Sequence, residues 1–145
     1  MPKIKKEKVA VPFFDRRGAE FALVAGIGAV CYCGLEILWR GWTHISMAVA
    51  GAVCFSVLYR AEGIASFREI SLAVRALIGG GVITAVEFVC GCILNLALGL
   101  DVWDYSDIPV NILGQICPKM SLLWCLLCFA VFPFCDLIGK RVFGR

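Results

Sequence analysis

The sequence predicts an all-α polytopic membrane protein: a four-transmembrane-helix bundle with a structured outer loop between helices 3 and 4. Three observations lead there. Of 145 residues, 61% are hydrophobic and 17% charged, where an ordinary soluble domain carries roughly 25% charge. The apolar residues fall into four long runs. The basic residues gather in the segments that flank every second run. A mean hydropathy of +0.87 excludes a disordered chain, which needs low hydrophobicity and high charge. It also leaves too little polar surface to cover a soluble globule. The net charge of +3 is no nucleic-acid signature, so no nucleic-acid partner is expected.

The first run, Phe21 to Trp39, has 19 residues broken by Glu36. The second, Trp42 to Tyr59, has 18 residues and no formal charge. The third, Ala76 to Leu100, has 25 residues broken by Glu87, and the fourth, Met120 to Cys135, has 16. A spanning helix needs about 20 residues. The fourth run is short, but Leu137 and Ile138 extend it, with Asp136 and Lys140 reaching toward headgroups. The expected helices are therefore about 20–40, 42–60, 76–100 and 119–138, within a transmembrane domain of 20–139. A basic segment, 1–19, precedes it and a basic tail, 140–145, follows. Runs this long lack the period-two alternation of a β-barrel.

Lys3, Lys5, Lys6, Lys8, Arg16 and Arg17 precede helix 1; Arg60, Arg68 and Arg75 separate helices 2 and 3; Lys140, Arg141 and Arg145 follow helix 4. Twelve basic residues thus share one side, against Arg40 and Lys119 on the other. The positive-inside rule then puts both termini in the cytoplasm of a multi-pass cell-membrane protein. Helix 1 reads as retained rather than as a cleaved signal peptide. Its run is of spanning length, and Trp39-Arg40-Gly41-Trp42 follows instead of a small-residue cleavage site.

Arg60 to Arg75 reads either as a short interfacial helix, with Ile64, Phe67, Ser71 and Val74 at helical spacing, or as a solvated connector. The connector from Asp101 to Lys119 carries Asp101, Asp104 and Asp107 around Trp103 and Tyr105, residue types at home at a membrane interface. Its apolar stretch Ile108 to Ile116, bracketed by Pro109 and Pro118, either lies in the interface or dips back as a re-entrant element.

Nine cysteines form no even disulfide framework; seven lie inside apolar runs and an eighth, Cys135, ends one, and there Cys behaves as a small hydrophobe. Ala22-x-x-x-Gly26, Ala48-x-x-x-Ala52 and Gly91-x-x-x-Asn95-x-x-x-Gly99 are spacings that let helices approach closely. Gly79-Gly80-Gly81 reads as a flexible start to helix 3. The G-x-x-x-x-G-K-[ST], H-E-x-x-H and G-x-S-x-G motifs do not occur. No cofactor is expected, and no metal: His44 is the single histidine, and zinc usually takes three or four converging ligands.

Ionisable groups inside spanning helices cost several kcal/mol, which makes each a functional candidate. Glu36, Arg40 and His44 are spaced i, i+4, i+8 and share one face if helix 1 continues through Gly41. Glu87, Gly91 and Asn95 repeat the spacing on helix 3. A bare Gly91 between two polar groups leaves room for a partner backbone, water or an ion. The structural alternative in each case is helix locking, by an ion pair at Glu36–Arg40 and by an interhelical hydrogen bond at Asn95. The 51-residue separation of the two glutamates hints at a doubled two-helix unit.

Several strings together resemble a known family: Glu36-Ile-Leu-Trp-Arg-Gly-Trp-Thr-His-Ile-Ser-Met47, Glu87-Phe-Val-Cys-Gly-Cys-Ile-Leu-Asn95, Val102-Trp-Asp-Tyr-Ser106 and Pro109-Val-Asn-Ile-Leu-Gly-Gln-Ile-Cys117, with Trp124 beyond. They resemble the ABC-transporter type IV (CmpB-like) family of small bacterial integral membrane proteins, over roughly residues 20 to 135. The resemblance implies a permease-like transport component and carries over no catalytic residues. Its signature polar residues are Glu36, Arg40, His44, Glu87, Asn95, Asp104, Asn111 and Gln115. The topology puts nearly all of them in or just beyond the outer half of the membrane, as a polar substrate pocket. The expected partners are membrane lipids, a second copy of the chain, and a separate ATPase subunit. The alternatives are a membrane-embedded lipid-binding protein or enzyme using a carboxylate/His cluster, and a helper subunit without chemistry.

Overall fold

A computed structural model describes residues 16–144. The basic residues Lys3, Lys5, Lys6, Lys8 and Arg145 lie outside the described residues. Among the described residues the chain is all helical, with one isolated antiparallel bridge, Ile112–Ile116, and no β-strand. The helices are α1 (Arg16–Arg40), α2 (Ile45–Glu62), the single turn α3 (Ala65–Arg68), α4 (Leu72–Gly91, continued by a π-helical segment, Cys92–Ala97) and α5 (Pro118–Val142). Four are long and apolar enough to cross a membrane. At 1.5 Å per residue, α2 reaches about 27 Å, close to the roughly 30 Å hydrocarbon core. The other three are longer and must tilt or protrude.

Local chemistry sets the helix ends. Gly41, at φ +80°, closes α1 by donating its N–H to the Ile37 carbonyl at 2.9 Å. A side chain there would be strained, which is why the αL stop falls at a glycine. His44 caps α2: its Nδ1 accepts from the Ser46 N–H at 3.3 Å. Helix 1 therefore does not continue through Gly41, and His44 leaves the face of Glu36 and Arg40. Ser71 caps α4 through its Oγ, and Pro118 opens α5 where the missing N–H is harmless.

The chain runs up, down, up and down. One end of the bundle holds the α1–α2 turn and the 98–117 connector (the loop end); the other holds the start of α1, α3 and the end of α5 (the α3 end). α1 packs on α2 and α4 on α5, and α2 joins the two hairpins. The core is continuous between them: Met47, Ala50, Cys54 and Leu58 of α2 meet Ala76 and Ile83 of α4 and Trp124, Cys128 and Phe132 of α5. All nine cysteines are free thiols, and four of them are buried.

Glycines set the helix spacing. A Cβ on Gly51 would fall 2.6 Å from the Gly28 carbonyl and against the Tyr32 side chain, so α1 and α2 touch backbone to backbone here. The Ala22-x-x-x-Gly26 spacing is not the contact, since Gly26 faces open space. Gly79 and Gly80 likewise receive Cys128, Phe132 and Cys125 of α5, while Gly81 is open. The triple glycine is a packing surface rather than a flexible hinge. Gly51→Leu should lower stability by about 1–3 kcal/mol. Gly26→Leu should be neutral, and thermal melts of both purified variants check the contrast.

The α3 end is tied by charge. Arg75 donates through Nη1 to both oxygens of Glu62, at 2.8 and 2.6 Å, and its guanidinium lies 5.8 Å from the Phe132 ring centre. Glu62 is only 6% exposed. Arg68 pairs with Asp136 at 3.3 Å, and Lys140 reaches the same carboxylate at 2.6 Å. The segment from Arg60 to Arg75 is thus neither a continuous interfacial helix nor a freely solvated connector. α2 extends to Glu62, α3 is one turn, and two ion pairs strap the link onto α4 and α5.

Candidate functional site

A cavity of about 300 Å³ opens in the loop-end half of the bundle. α1 contributes Tyr32, Leu35, Glu36, Trp39 and Arg40, because residues three and four apart share a helix face. Met47 comes from α2, Glu87 from α4, and Met120, Leu123, Trp124 and Leu127 from α5. Trp103, Asp104 and Tyr105 of the connector complete it.

Glu87 is 4% exposed and held by two aromatic donors. The Tyr32 hydroxyl donates to its Oε1 at 3.1 Å, and the Trp124 indole N–H donates to Oε2 at 2.7 Å. The Tyr32 and Trp124 rings are stacked, with centroids 5.7 Å apart. These contacts join α1, α4 and α5 at one point. No cation is bonded to Glu87 among the described residues.

Glu36 and Arg40 form a second unit near the rim. Arg40 Nη2 donates to Glu36 Oε1 at 2.6 Å, and the Thr43 hydroxyl donates to Oε2 at 2.5 Å. Arg40 Nη1 donates to the Val102 carbonyl of the connector at 2.5 Å. The same guanidinium stacks 4.1 Å from the Trp42 ring centre. One side chain thereby links α1, the α1–α2 turn and the connector.

The connector is a structured cap held by amides. Asn95 Oδ1 accepts from the Val102 N–H at 2.7 Å, while its Nδ2 donates to the Trp103 carbonyl at 2.9 Å and to Gln115 Oε1 at 2.8 Å. The Trp103 indole N–H donates to the Gln115 carbonyl at 3.0 Å. Gly91 makes this possible, since a Cβ there would collide with the Gln115 side chain. The space beside Gly91 is filled by a glutamine of the same chain. The π-helical turn at Cys92–Ala97 widens the end of α4 where Asn95 meets the connector; such π-turns recur at functional sites. Asn111 closes a turn by donating to the Ile108 carbonyl at 2.9 Å and accepting from the Gly114 N–H at 2.9 Å.

Asp104 is exposed at the rim. Its Oδ1 accepts from the Ser106 hydroxyl at 2.5 Å and from the Ser106 N–H at 2.8 Å. Those two bonds hold its carboxyl below the usual aspartate range. Burial pushes the Tyr105 phenol up.

Of the sequence candidates, Glu36, Arg40, Glu87 and Asp104 line the cavity. Asn95 and Gln115 sit behind Trp103 and hold it in place. Asn111 shapes the connector, and His44 caps α2 outside the cavity wall. Sequence reasoning did not assign the aromatic wall. Tyr32 lies one turn before Glu36 on the Glu36–Arg40 face, so the same spacing could have marked it.

A family model described as "Putative ABC-transporter type IV" matches residues 21–144. No curated protein and no solved structure matches the chain.

Proposed function

The chain belongs to the ABC-transporter type IV family, and from that premise we propose that it is the membrane-embedded, permease-like component of a transport system. It is a multi-pass membrane protein. The observation that carries the proposal is the cavity between the helices, with Glu36, Arg40, Glu87 and Asp104 in its wall. Ionisable side chains in the wall of a largely apolar cavity are costly to place inside a membrane bundle, and such groups usually mark a substrate path. Asn95, Asn111 and Gln115 support the cap over it. Under this reading 20–139 is the transmembrane domain, and the basic flanks 1–19 and 140–145 lie in the cytoplasm. The cavity then faces the outer half of the cell membrane. The chain carries no phosphate-binding loop, so ATP hydrolysis would come from a separate subunit. Four helices leave little room for a pore, which favours a homo-oligomer or that partner.

The test is purification of the tagged full chain from its own host's membranes. ATP hydrolysis should co-elute with it and change in Glu36→Gln. A stable assembly of this chain alone, without hydrolysis, overturns the ATP-driven reading. Orientation is read separately: a membrane-impermeant maleimide should label Asp104→Cys in intact cells, and labelling only after lysis would invert the topology.

A further inference from the structure

We propose that the cavity binds an alkylammonium group, seated among Tyr32, Trp103, Tyr105 and Trp124 with Glu87 as its counter-charge. This rests on the reading of the cavity as a ligand site and names the chemistry it would take. Aromatic rings attract organic cations through their negative faces, and an aromatic box beside a carboxylate is the usual answer to a substituted ammonium. Here Tyr32, Trp39, Trp103, Tyr105 and Trp124 all line one space.

The charge balance points the same way. The single cation of the wall, Arg40, gives its two terminal nitrogens to Glu36 and the Val102 carbonyl and lays its face on Trp42, which leaves one buried N–H, at Nε, without a partner. That pairing also offsets Glu36. Glu87 and Asp104 receive neutral O–H and N–H donors and no cation. An anion would meet two carboxylates and a guanidinium whose terminal nitrogens are taken, whereas a cation would meet carboxylate oxygens that no other cation holds.

The shape of the mouth adds a second property. The exposed members of the wall are Leu35 and Trp39 of α1, Leu123 of α5 and Asp104 of the connector. The opening therefore runs down the side of the bundle between α1 and α5, polar at its top and apolar along its flanks. An ammonium at the polar end can leave a hydrocarbon substituent between the two helices. A lipid amine headgroup and a free organic amine share this chemistry.

The experiment uses the full chain in nanodiscs of phosphatidylglycerol. Choline is titrated against the tryptophan fluorescence of the wall, with 3,3-dimethylbutan-1-ol as the uncharged isostere. Choline should give a saturable change, and the isostere should bind at least about tenfold more weakly. Tyr105→Phe keeps the ring and should bind like the native chain, while Tyr105→Leu should lose about threefold to tenfold. Asp104→Asn preserves the Ser106 turn and should lose about twofold to fivefold without altering the melting temperature. Equal binding of the isostere overturns the proposal, as does saturable sulfate binding that disappears in Arg40→Ala, or the absence of saturable choline binding. Repeating the titration in phosphatidylethanolamine discs separates the two sources. Competition identifies a lipid headgroup, unchanged affinity identifies a free amine, and both sustain the ammonium site. Choline binding by a chain that co-purifies with no ATPase would overturn the ATP-driven reading and leave this one standing.

Discussion

Arg75→Ala should destabilise the protein by about 3–5 kcal/mol, because it leaves the Glu62 carboxylate buried without its cation. Glu62 sits at the last residue of α2 and Arg75 in the first turn of α4, so the pair fastens the two hairpins where α3 crosses between them. The cost should come mainly from the stranded charge rather than from the lost attraction. Removing both partners separates those two effects. Glu62→Met with Arg75→Met should recover most of the lost stability, since apolar side chains of similar volume often replace a buried ion pair at little cost. Thermal melts of the single and double variants measure the coupling. If the double variant is as unstable as Arg75→Ala, the pair contributes through geometry instead.

Glu87 permits a sharper separation of charge from structure. Glu87→Leu would leave the Tyr32 hydroxyl and the Trp124 indole N–H buried without acceptors. Each orphaned donor costs about 1–3 kcal/mol. Glu87→Gln need orphan neither. Its amide oxygen can accept from Trp124, and its amide nitrogen can donate to the Tyr32 hydroxyl, which accepts as well as donates. The glutamine variant should therefore accumulate and melt like the native protein, while choline binding falls by more than about tenfold with the loss of the counter-charge. The leucine variant should melt early. A glutamine variant that binds choline normally would remove Glu87 from the site.

The four spans were legible because length and hydropathy alone identify a membrane helix. The end of α1 was harder. Trp42 restarts an apolar run just after Gly41, which disguises a glycine stop as a brief interruption. The Glu62–Arg75 pair has a separation of 13 residues across a turn, and no helical periodicity announces it. Glu36 and Glu87 stood out because charge is rare in such runs. Tyr32 and Trp124 did not, since an aromatic residue in an apolar helix reads equally well as facing lipid. Their role depends on how two helices distant in sequence are rotated toward each other. The π-turn at Cys92–Ala97 has no sequence signature of its own; it becomes visible only where Asn95 meets Val102, Trp103 and Gln115.

The bond from Arg40 to the Val102 carbonyl joins residues 62 positions apart. During synthesis, the hairpin of α1 and α2 enters the membrane before the connector exists. Arg40 must therefore enter the bilayer with only the partners its own hairpin supplies, the Glu36 carboxylate and the Trp42 ring, and await its second acceptor. Trp124, which holds Glu87 from α5, emerges later still. The cavity is consequently the last thing the nascent chain completes, so a chain halted before α5 could insert three helices and still possess no pocket. Assembly order, and not only composition, decides when this protein acquires its site.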